Sequence, residues 1–211
     1  MSRALRIAAS VGALIALGAG APVADAQVLL TQEEALALAF PAPAMVERRT
    51  AYLDEEEVAR VAERAKPARV KDRAVVTYYV GVRDGEPLGA AYFDAHRVRT
   101  LQEVLMVVVD PKGRVSRIEI LGFAEPPDYM APDGWLDLFR GRGLEPGTST
   151  RGDIPILTGA TLTSHAVSDA VRLSLALHSV IQPFETLADA TSQDATSEVR
   201  SGSPAGASPR P

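Results

Sequence analysis

The fold is decided by the stretch AVVTYYVGVRDGEPLGAAYF, residues 74–93. Its first half alternates apolar and other residues with period two, which is typical of a half-buried β-strand. The side chains that share one face of this strand are Val76, Tyr78, Val80 and Val82. The pair Asp84-Gly85 favours a tight hairpin turn, and an apolar run follows it. The stretch therefore predicts two antiparallel strands.

A second hairpin is predicted directly after the first. The apolar run Val104–Val109 is typical of a strand covered on both faces. The residues Asp110-Pro111-Lys112-Gly113 form a turn sequence that leads into the alternating stretch Val115–Phe123. Two hairpins in succession indicate a sheet that is mostly antiparallel.

Helices are predicted on both sides of the hairpins. Thr31 and Glu34 form a capping-box pattern before a short helix, and Asp54 can cap a second helix that closes at Lys66-Pro67. The longest helix is predicted from Ser164 to about Val180, with a broad apolar face suited to covering the sheet. The predicted fold class is α+β, a mostly antiparallel sheet from two hairpins packed against a long C-terminal helix.

The two ends of the chain differ in composition from the middle. Residues 1–26 resemble a signal peptide, with Arg3 and Arg6, an apolar run, and small residues before a cleavage site after Ala26. A retained membrane anchor is the alternative. We predict an N-terminal helical segment over 27–68, the main domain over 69–189, and a disordered tail over 190–211. The expected location is the periplasm or cell envelope, with membrane association possible only through the retained segment or a partner.

The composition excludes several kinds of chemistry. The 211 residues contain no cysteine, which rules out disulfides, cysteine-ligated zinc, iron–sulfur clusters and a thiol nucleophile. The net charge of −5 argues against a nucleic-acid partner, which would require a basic surface. No metal site and no catalytic acid or base is predicted, so redox work would need an organic cofactor.

One motif carries chemistry. The sequence TGATLTS, Thr158 to Ser164, places four hydroxyls and a glycine where the long helix is predicted to begin. The free amides and positive dipole end of a helix, together with hydroxyls, can bind a phosphate. The alternative is a simple cap, in which Thr163 or Ser164 holds the helix start and Gly159 makes the turn. Residue spacing alone favours the cap.

The motif resembles the [Ser/Thr]-Gly-Ala-Thr flavinylation motif of the FMN-binding domain family. Members of that family include the C subunit of the sodium-pumping NADH:quinone oxidoreductase and the G subunit of the Rnf complex. Thr163-Ser164-His165-Ala166-Val167, which follows the motif here, is similar to the helix start of the family. The similarity spans 69–180, so the main domain predicted over 69–189 is identified as an FMN-binding domain.

The resemblance implies a site and a cofactor. In the family, the last threonine of the motif is joined to FMN through a phosphodiester, which carries over to Thr161. The other residues expected to bind the cofactor are Thr158, Gly159, Ala160, Leu162, Thr163 and Ser164. Arg151 is a candidate for holding the phosphate oxygens. Asp153 stands five residues before Thr158, whereas the aspartate of the family pattern stands three or four before the motif.

The resemblance also implies partners and a role. A flavin transferase of the ApbE family would attach FMN, and a membrane or periplasmic redox partner would exchange electrons with it. The predicted function is that of an exported FMN-binding electron carrier, and this function is favoured over that of a self-contained enzyme. Two alternatives remain open, a non-redox envelope binding module that uses the helix start as an anion site, and a flavin-dependent reductase.

The remaining candidate residues have ordinary interpretations. His96, Arg97 and Arg99 are predicted to form a solvated turn, although the resemblance allows this segment to lie near the phosphate. His165 is predicted to face solvent in the first turn of the long helix. The aromatic residues are predicted to pack in the core rather than line a flavin ring; they are Tyr78, Tyr79, Tyr92, Phe93, Trp135 and Phe139.

Overall fold

The hairpin predicted over residues 74–93 lies within a six-stranded antiparallel sheet. The computed structural model describes residues 27–68 and 73–185. The strands, in chain order, are β1 (Gln27–Val28), β2 (Met45–Tyr52), β3 (Val75–Arg83), β4 (Glu86–Arg97), β5 (Gln102–Val109) and β6 (Val115–Phe123). Their order across the sheet is β1-β6-β5-β4-β3-β2.

Both predicted hairpin turns form, and local geometry explains them. Asp84 and Gly85 have φ values of 53° and 82°, so both central residues adopt the left-handed conformation of a tight hairpin turn. In the second turn, the Asp110 carboxylate accepts hydrogen bonds from the amides of Lys112 and Arg114 at 2.8 and 2.9 Å. These two bonds fix the turn.

The helices surround the sheet as an α+β fold. They are α1 (Gln32–Ala39), α2 (Glu55–Ala65), α3 (Asp133–Leu136) and α4 (Thr161–Ile181), with short 3₁₀ turns at Pro127–Tyr129 and Asp137–Phe139. The predicted capping box of Thr31 with Glu34 is present, and the predicted cap Asp54 forms a second capping box with Glu57. The predicted fold class is confirmed.

Strand β2 was not predicted. The segment 27–68 contains the two predicted helices, but β2 lies between them and pairs with β3 along its full length. Its sequence, MVERRTAY, has three adjacent charged residues, and most of its side chains are exposed because β2 forms an edge of the sheet. An edge strand exposed in this way lacks the apolar alternation by which strands are recognised.

The two faces of the sheet carry separate cores. Helices α2 and α4 cover the larger core, in which Leu105, Val107 and Val171 are buried. Helix α1 and Phe40 cover the opposite face, packed on Met106 and Val108. The main layer therefore depends on α4, the helix that also carries the predicted motif.

Phe40 depends on a glycine in β3. A Cβ atom added at Gly81 would stand 2.2 Å from Cδ1 of the Phe40 ring. Only a glycine leaves room for the ring at this point on the sheet. Phe40 is 3% exposed, so the missing side chain of Gly81 is what allows α1 to seal this face.

Helix α4 is joined to the rest of the fold by a buried arginine. Arg172 is 3% exposed, and its guanidinium donates to the carbonyls of Ala65 and Glu145, each at 2.9 Å. It also donates to the carbonyls of Arg64 at 3.2 Å and Thr148 at 3.5 Å. One side chain thus ties α4 to the end of α2 and to the loop that precedes the motif.

The ends of the chain lie outside the described residues. The predicted signal peptide over 1–26 and the predicted tail over 190–211 both fall there. Over 27–68 and 73–185, no helix has the length and apolar character needed to cross a membrane.

Candidate functional site

Helix α4 begins one turn earlier than predicted, inside the motif. Its first residue is Thr161, and Ala160 occupies the N-cap position with no side-chain hydrogen bond to the helix. The first helical bond runs from the Ser164 amide to the Ala160 carbonyl at 2.9 Å. Within 27–68 and 73–185, no group accepts a hydrogen bond from the amides of Thr161, Leu162 and Thr163. The start of the helix is therefore open to an anion.

The interpretation of Thr163 or Ser164 as a helix cap is wrong. Thr163 is 1% exposed, and its hydroxyl donates to the Tyr129 carbonyl at 2.6 Å. The fully buried Ser164 hydroxyl donates to the Ala160 carbonyl and accepts from the Leu157 amide, both at 3.0 Å. These two hydroxyls hold the loop against the helix and leave its first amides free.

Thr161 is placed differently from its two buried neighbours. Its side chain is exposed at the first helical position, next to Leu162, which is 50% exposed. The structure gives the Thr161 hydroxyl no partner among the described residues. Thr158 is also exposed, at the start of the motif. The motif therefore offers two accessible hydroxyls, and only that of Thr161 stands on the open helix start.

Gly159 shapes the turn into the helix. Its φ of 84° lies in the left-handed region, where a side chain would be strained. No atom lies within 4 Å of where its Cβ would be, so the space beside the backbone is open. Gly159 thus turns the chain into α4 and leaves the approach to Thr161 unobstructed.

A cavity of about 240 Å³ lies beside this helix start. Three segments form its wall, namely the turn between β4 and β5, the segment from the end of β6 to the end of the following 3₁₀ turn, and the motif itself. The lining residues are Val98, Arg99, Glu125, Tyr129, Gly159, Ala160, Thr161, Leu162 and Thr163. Five of the seven predicted site residues therefore share one cavity. Thr158 and Ser164 lie outside its lining.

Glu125 shapes the cavity by holding the β4–β5 turn. One oxygen of its carboxylate accepts hydrogen bonds from the amides of Thr100 at 2.7 Å and Leu101 at 2.8 Å, and from the Thr100 hydroxyl at 3.3 Å. The bonds from the Thr100 and Leu101 amides lower the pKa of Glu125. The ionised carboxylate thus fixes the turn that carries Val98 and Arg99.

The two candidate arginines are placed in different surroundings. Arg99 lines the cavity, and its guanidinium has no ion-pair partner in the described part of the chain. Arg151, the candidate for binding the phosphate, instead donates to the carbonyl of Pro67. Of these two arginines, the structure thus brings Arg99 into the cavity with Thr161.

The prediction of a solvated turn is wrong for His96. Its Nδ1 lies 2.8 Å from Asp94, and its Nε2 lies 2.9 Å from Glu103. Burial alone would lower the pKa of His96, but the hydrogen bonds and charges of Asp94 and Glu103 raise it to about 9. Arg73 donates to the second oxygen of Asp94. Since carboxylates occupy both ring nitrogens of His96, the ring is not available to a metal.

His178 and His165 lie elsewhere on α4. Nδ1 of His178 lies 3.2 Å from the Tyr92 hydroxyl in the core, and burial lowers the pKa of His178 to about 4. His165, predicted to face solvent, is only half-buried, and its Nδ1 lies 2.7 Å from the Thr150 hydroxyl. Neither histidine lines the cavity at Thr161.

The aromatic residues pack as the sequence predicts. Four of them belong to the larger core, and Tyr79 and Phe93 pack on the opposite face. Tyr78 and Tyr92 are stacked with their ring centres 5.8 Å apart. Tyr129, a residue not singled out from the sequence, is the aromatic side chain that lines the cavity.

Sequence reasoning missed or undervalued the four lining residues outside the motif, which are Val98, Arg99, Glu125 and Tyr129. Glu125 and Tyr129 follow the last strand in a proline-rich stretch that carries no recognisable local signal. The bonds of Glu125 join residues 24 and 25 positions apart, which only the pairing of β5 with β6 brings together. Arg99 is part of a basic segment, whose ordinary interpretation is a solvated turn.

The open helix start, the accessible hydroxyl and the adjoining cavity define an α+β domain suited to holding a phosphorylated ligand. Residues 102–176 match the model of the family described as FMN-binding domain. The matched segment runs from the start of β5 into α4 and includes the whole motif. The match indicates an FMN-binding domain over these residues, with FMN as its cofactor. Comparisons with curated proteins and with solved structures gave no match.

The residues at this site fit the cofactor. Three free amides and the positive end of a 21-residue helix suit the phosphate. Val98, Tyr129 and Leu162 supply apolar surface for a ring system, and Arg99 supplies a cation.

Proposed function

We propose that this protein is an exported electron carrier with FMN joined through a phosphodiester to Thr161. The observation that supports this attachment most directly is the accessible Thr161 hydroxyl on an uncapped helix start beside a cavity. FMN supplies the capacity to accept and release electrons, while the protein sets its position and surroundings.

The covalent step requires an accessible hydroxyl and an external transferase. The Thr161 oxygen would attack the phosphorus on the FMN side of FAD, forming a new P–O bond. The pyrophosphate bond breaks, AMP leaves, and the hydroxyl proton passes to the transferase. Thr163 is a poor acceptor, because its hydroxyl is buried against the Tyr129 carbonyl.

A carrier agrees better with the cavity than a substrate-transforming reductase does. Among the described residues, Glu125 is the one carboxylate that lines the cavity, and its pKa is lowered by hydrogen bonds from the turn. A carboxylate held ionised by backbone amides is a weak proton donor. We therefore propose a redox protein in the membrane or periplasm as the partner that exchanges electrons with the flavin.

Attachment is tested by co-expression with a flavin transferase of the ApbE family, followed by intact-protein and peptide mass spectrometry. The wild type should gain the mass of one FMN less one water, located on the peptide that contains Thr161. Thr161→Ala should abolish the adduct, whereas Thr161→Ser, which keeps a hydroxyl, should retain it in part. Thr158→Ala removes the other exposed hydroxyl and serves as the control. An adduct that persists in Thr161→Ala refutes the assignment.

Export is tested separately by N-terminal sequencing of the protein recovered from the cell envelope. Cleavage after Ala26 would give a chain that begins at Gln27. A chain that begins at Met1 would refute cleavage and favour the retained anchor.

A further inference from the structure

Arg99 combines a place in the cavity with a guanidinium that has no ion-pair partner among the described residues. It lies on the β4–β5 turn and lines the same cavity as Thr161. Over residues 27–68 and 73–185, its guanidinium contacts no carboxylate within ion-pair distance. By contrast, Arg73 pairs with Asp94, and Arg117 pairs with Glu119 at 2.5 Å. Arg99 is therefore a cation that is free to act on an occupant of the cavity.

Glu125, the acidic residue that lines the cavity, forms hydrogen bonds to the backbone instead of to Arg99. Glu125 directs a carboxylate oxygen at the backbone amides of Thr100 and Leu101. Those bonds use the carboxylate to hold the turn, so they fix the backbone beside Arg99 without engaging its guanidinium. The turn thus presents the cation from a restrained backbone, which is the condition for a defined electrostatic effect.

The strand ends that flank the same turn are also held by side-chain contacts. His96 lies between Asp94 and Glu103 at the last pairs of β4 with β5, three residues before Arg99. Asp94 is 6% exposed and Glu103 is fully buried. Charge-assisted bonds on buried strands restrict how far the turn can move. Both ends of the segment that carries Arg99 are therefore fixed by side-chain contacts.

We propose that Arg99 is the residue that tunes the reduction potential of the flavin, by placing its guanidinium beside the ring system in the cavity. The inference rests on the proposed attachment at Thr161. The oxidised ring is neutral, and uptake of two electrons and one proton gives it one negative charge. A fixed cation near the ring stabilises this added charge, so it favours the reduced form. The phosphate is left to the free amides at the start of α4.

The test compares matched charge changes on the flavinylated protein. Arg99→Gln removes the cation from the cavity, and Arg99→Lys keeps it. Arg97→Gln removes the same charge from an exposed residue at the end of β4 that does not line the cavity. The midpoint potential of each protein is measured by dithionite titration against a reference dye at fixed pH. Both substituted positions are exposed, so folding of all three variants should be preserved, which circular dichroism checks.

The expected result is specific to Arg99. Arg99→Gln should lower the equilibrium constant for two-electron reduction about tenfold, which is about 30 mV. Arg97→Gln should change that constant less than twofold, and Arg99→Lys should stay within about threefold of the wild type.

Two results would overturn the proposal. One is a potential in Arg99→Gln equal to that in Arg97→Gln. The other is loss of flavin from Arg99→Gln, which would assign Arg99 to attachment instead. Failure of the attachment itself is distinguished beforehand, because it appears as a wild type without flavin or as an adduct retained in Thr161→Ala.

Discussion

The buried histidine between two carboxylates predicts a stability that falls as the pH rises. His96 is held by Asp94 and Glu103, and these partners raise its pKa to about 9 from an ordinary value of 6.5. The folded state therefore keeps its proton over a pH range in which the unfolded chain has lost it. The stabilisation is complete below pH 6.5 and disappears as the pH passes through about 9.

The magnitude follows from the two pKa values. A pKa of about 9 against 6.5 corresponds to roughly 3 kcal/mol of stability in favour of the folded state. Most of this stability should be lost between pH 6.5 and pH 9. With a urea m-value of about 2 kcal/mol/M for a domain of this size, the unfolding midpoint should fall by about 1 M.

The assay is urea unfolding followed by far-UV circular dichroism at a series of pH values. Wild type should lose stability steadily above neutral pH. His96→Gln can still form hydrogen bonds but cannot titrate, so its stability should be nearly constant from pH 6.5 to pH 9. The reasoning is refuted by a wild-type profile that is flat in this range, or by a His96→Gln profile that falls as steeply as that of the wild type.

Three further predictions concern other parts of the fold. Because the pKa of His178 is lowered to about 4, the unfolded state takes up a proton first as the pH falls, and roughly 2 kcal/mol should be lost between pH 6.5 and pH 5. His178→Gln, which keeps an acceptor for Tyr92, should lose less over this range in the same urea assay. Arg172→Met removes the donor to four backbone carbonyls and should cost roughly 3 kcal/mol in urea unfolding. A Cm close to that of wild type would contradict this. Gly81→Ala should expel the Phe40 ring and cost roughly 3 kcal/mol, whereas a smaller loss, with Tm reduced by only a few degrees, would mean that the ring can shift within its site.

The parts of the fold that could be predicted from the sequence are those that depend on residues close together along the chain. The Asp84-Gly85 turn and the two capping boxes each involve residues one to three positions apart. Such local chemistry acts in the same way in almost any tertiary setting. Strand β2 could not be recognised because its formation depends on pairing with β3. Its side chains are mostly exposed, so its sequence shows no apolar alternation.

Part of the candidate site could also be predicted, because it too depends on residues close together along the chain. The motif itself is local, and its resemblance to the flavinylation motif of the family implies Thr161. Hydroxyl residues favour the cap position, which predicts a start of α4 at Ser164. In the structure, the hydroxyls of Thr163 and Ser164 instead bond to the backbone of Tyr129 and Leu157. The other wall of the cavity comes from Arg99 and Glu125, which the pairing of distant segments brings together.

The order of the strands bears on how the chain acquires its structure. From β2 to β6, each strand pairs with the next one along the chain, and the pairing of β1 with β6 is the exception in the described sheet. Contacts between neighbouring segments form rapidly, so most of the sheet can assemble as the chain emerges. Helix α4 comes last of the described elements, and until it docks, the apolar face bearing Leu105 and Val107 is uncovered. Thr161 stands at the start of α4, so a transferase that recognises the native site would act only on chains in which this helix has formed and docked.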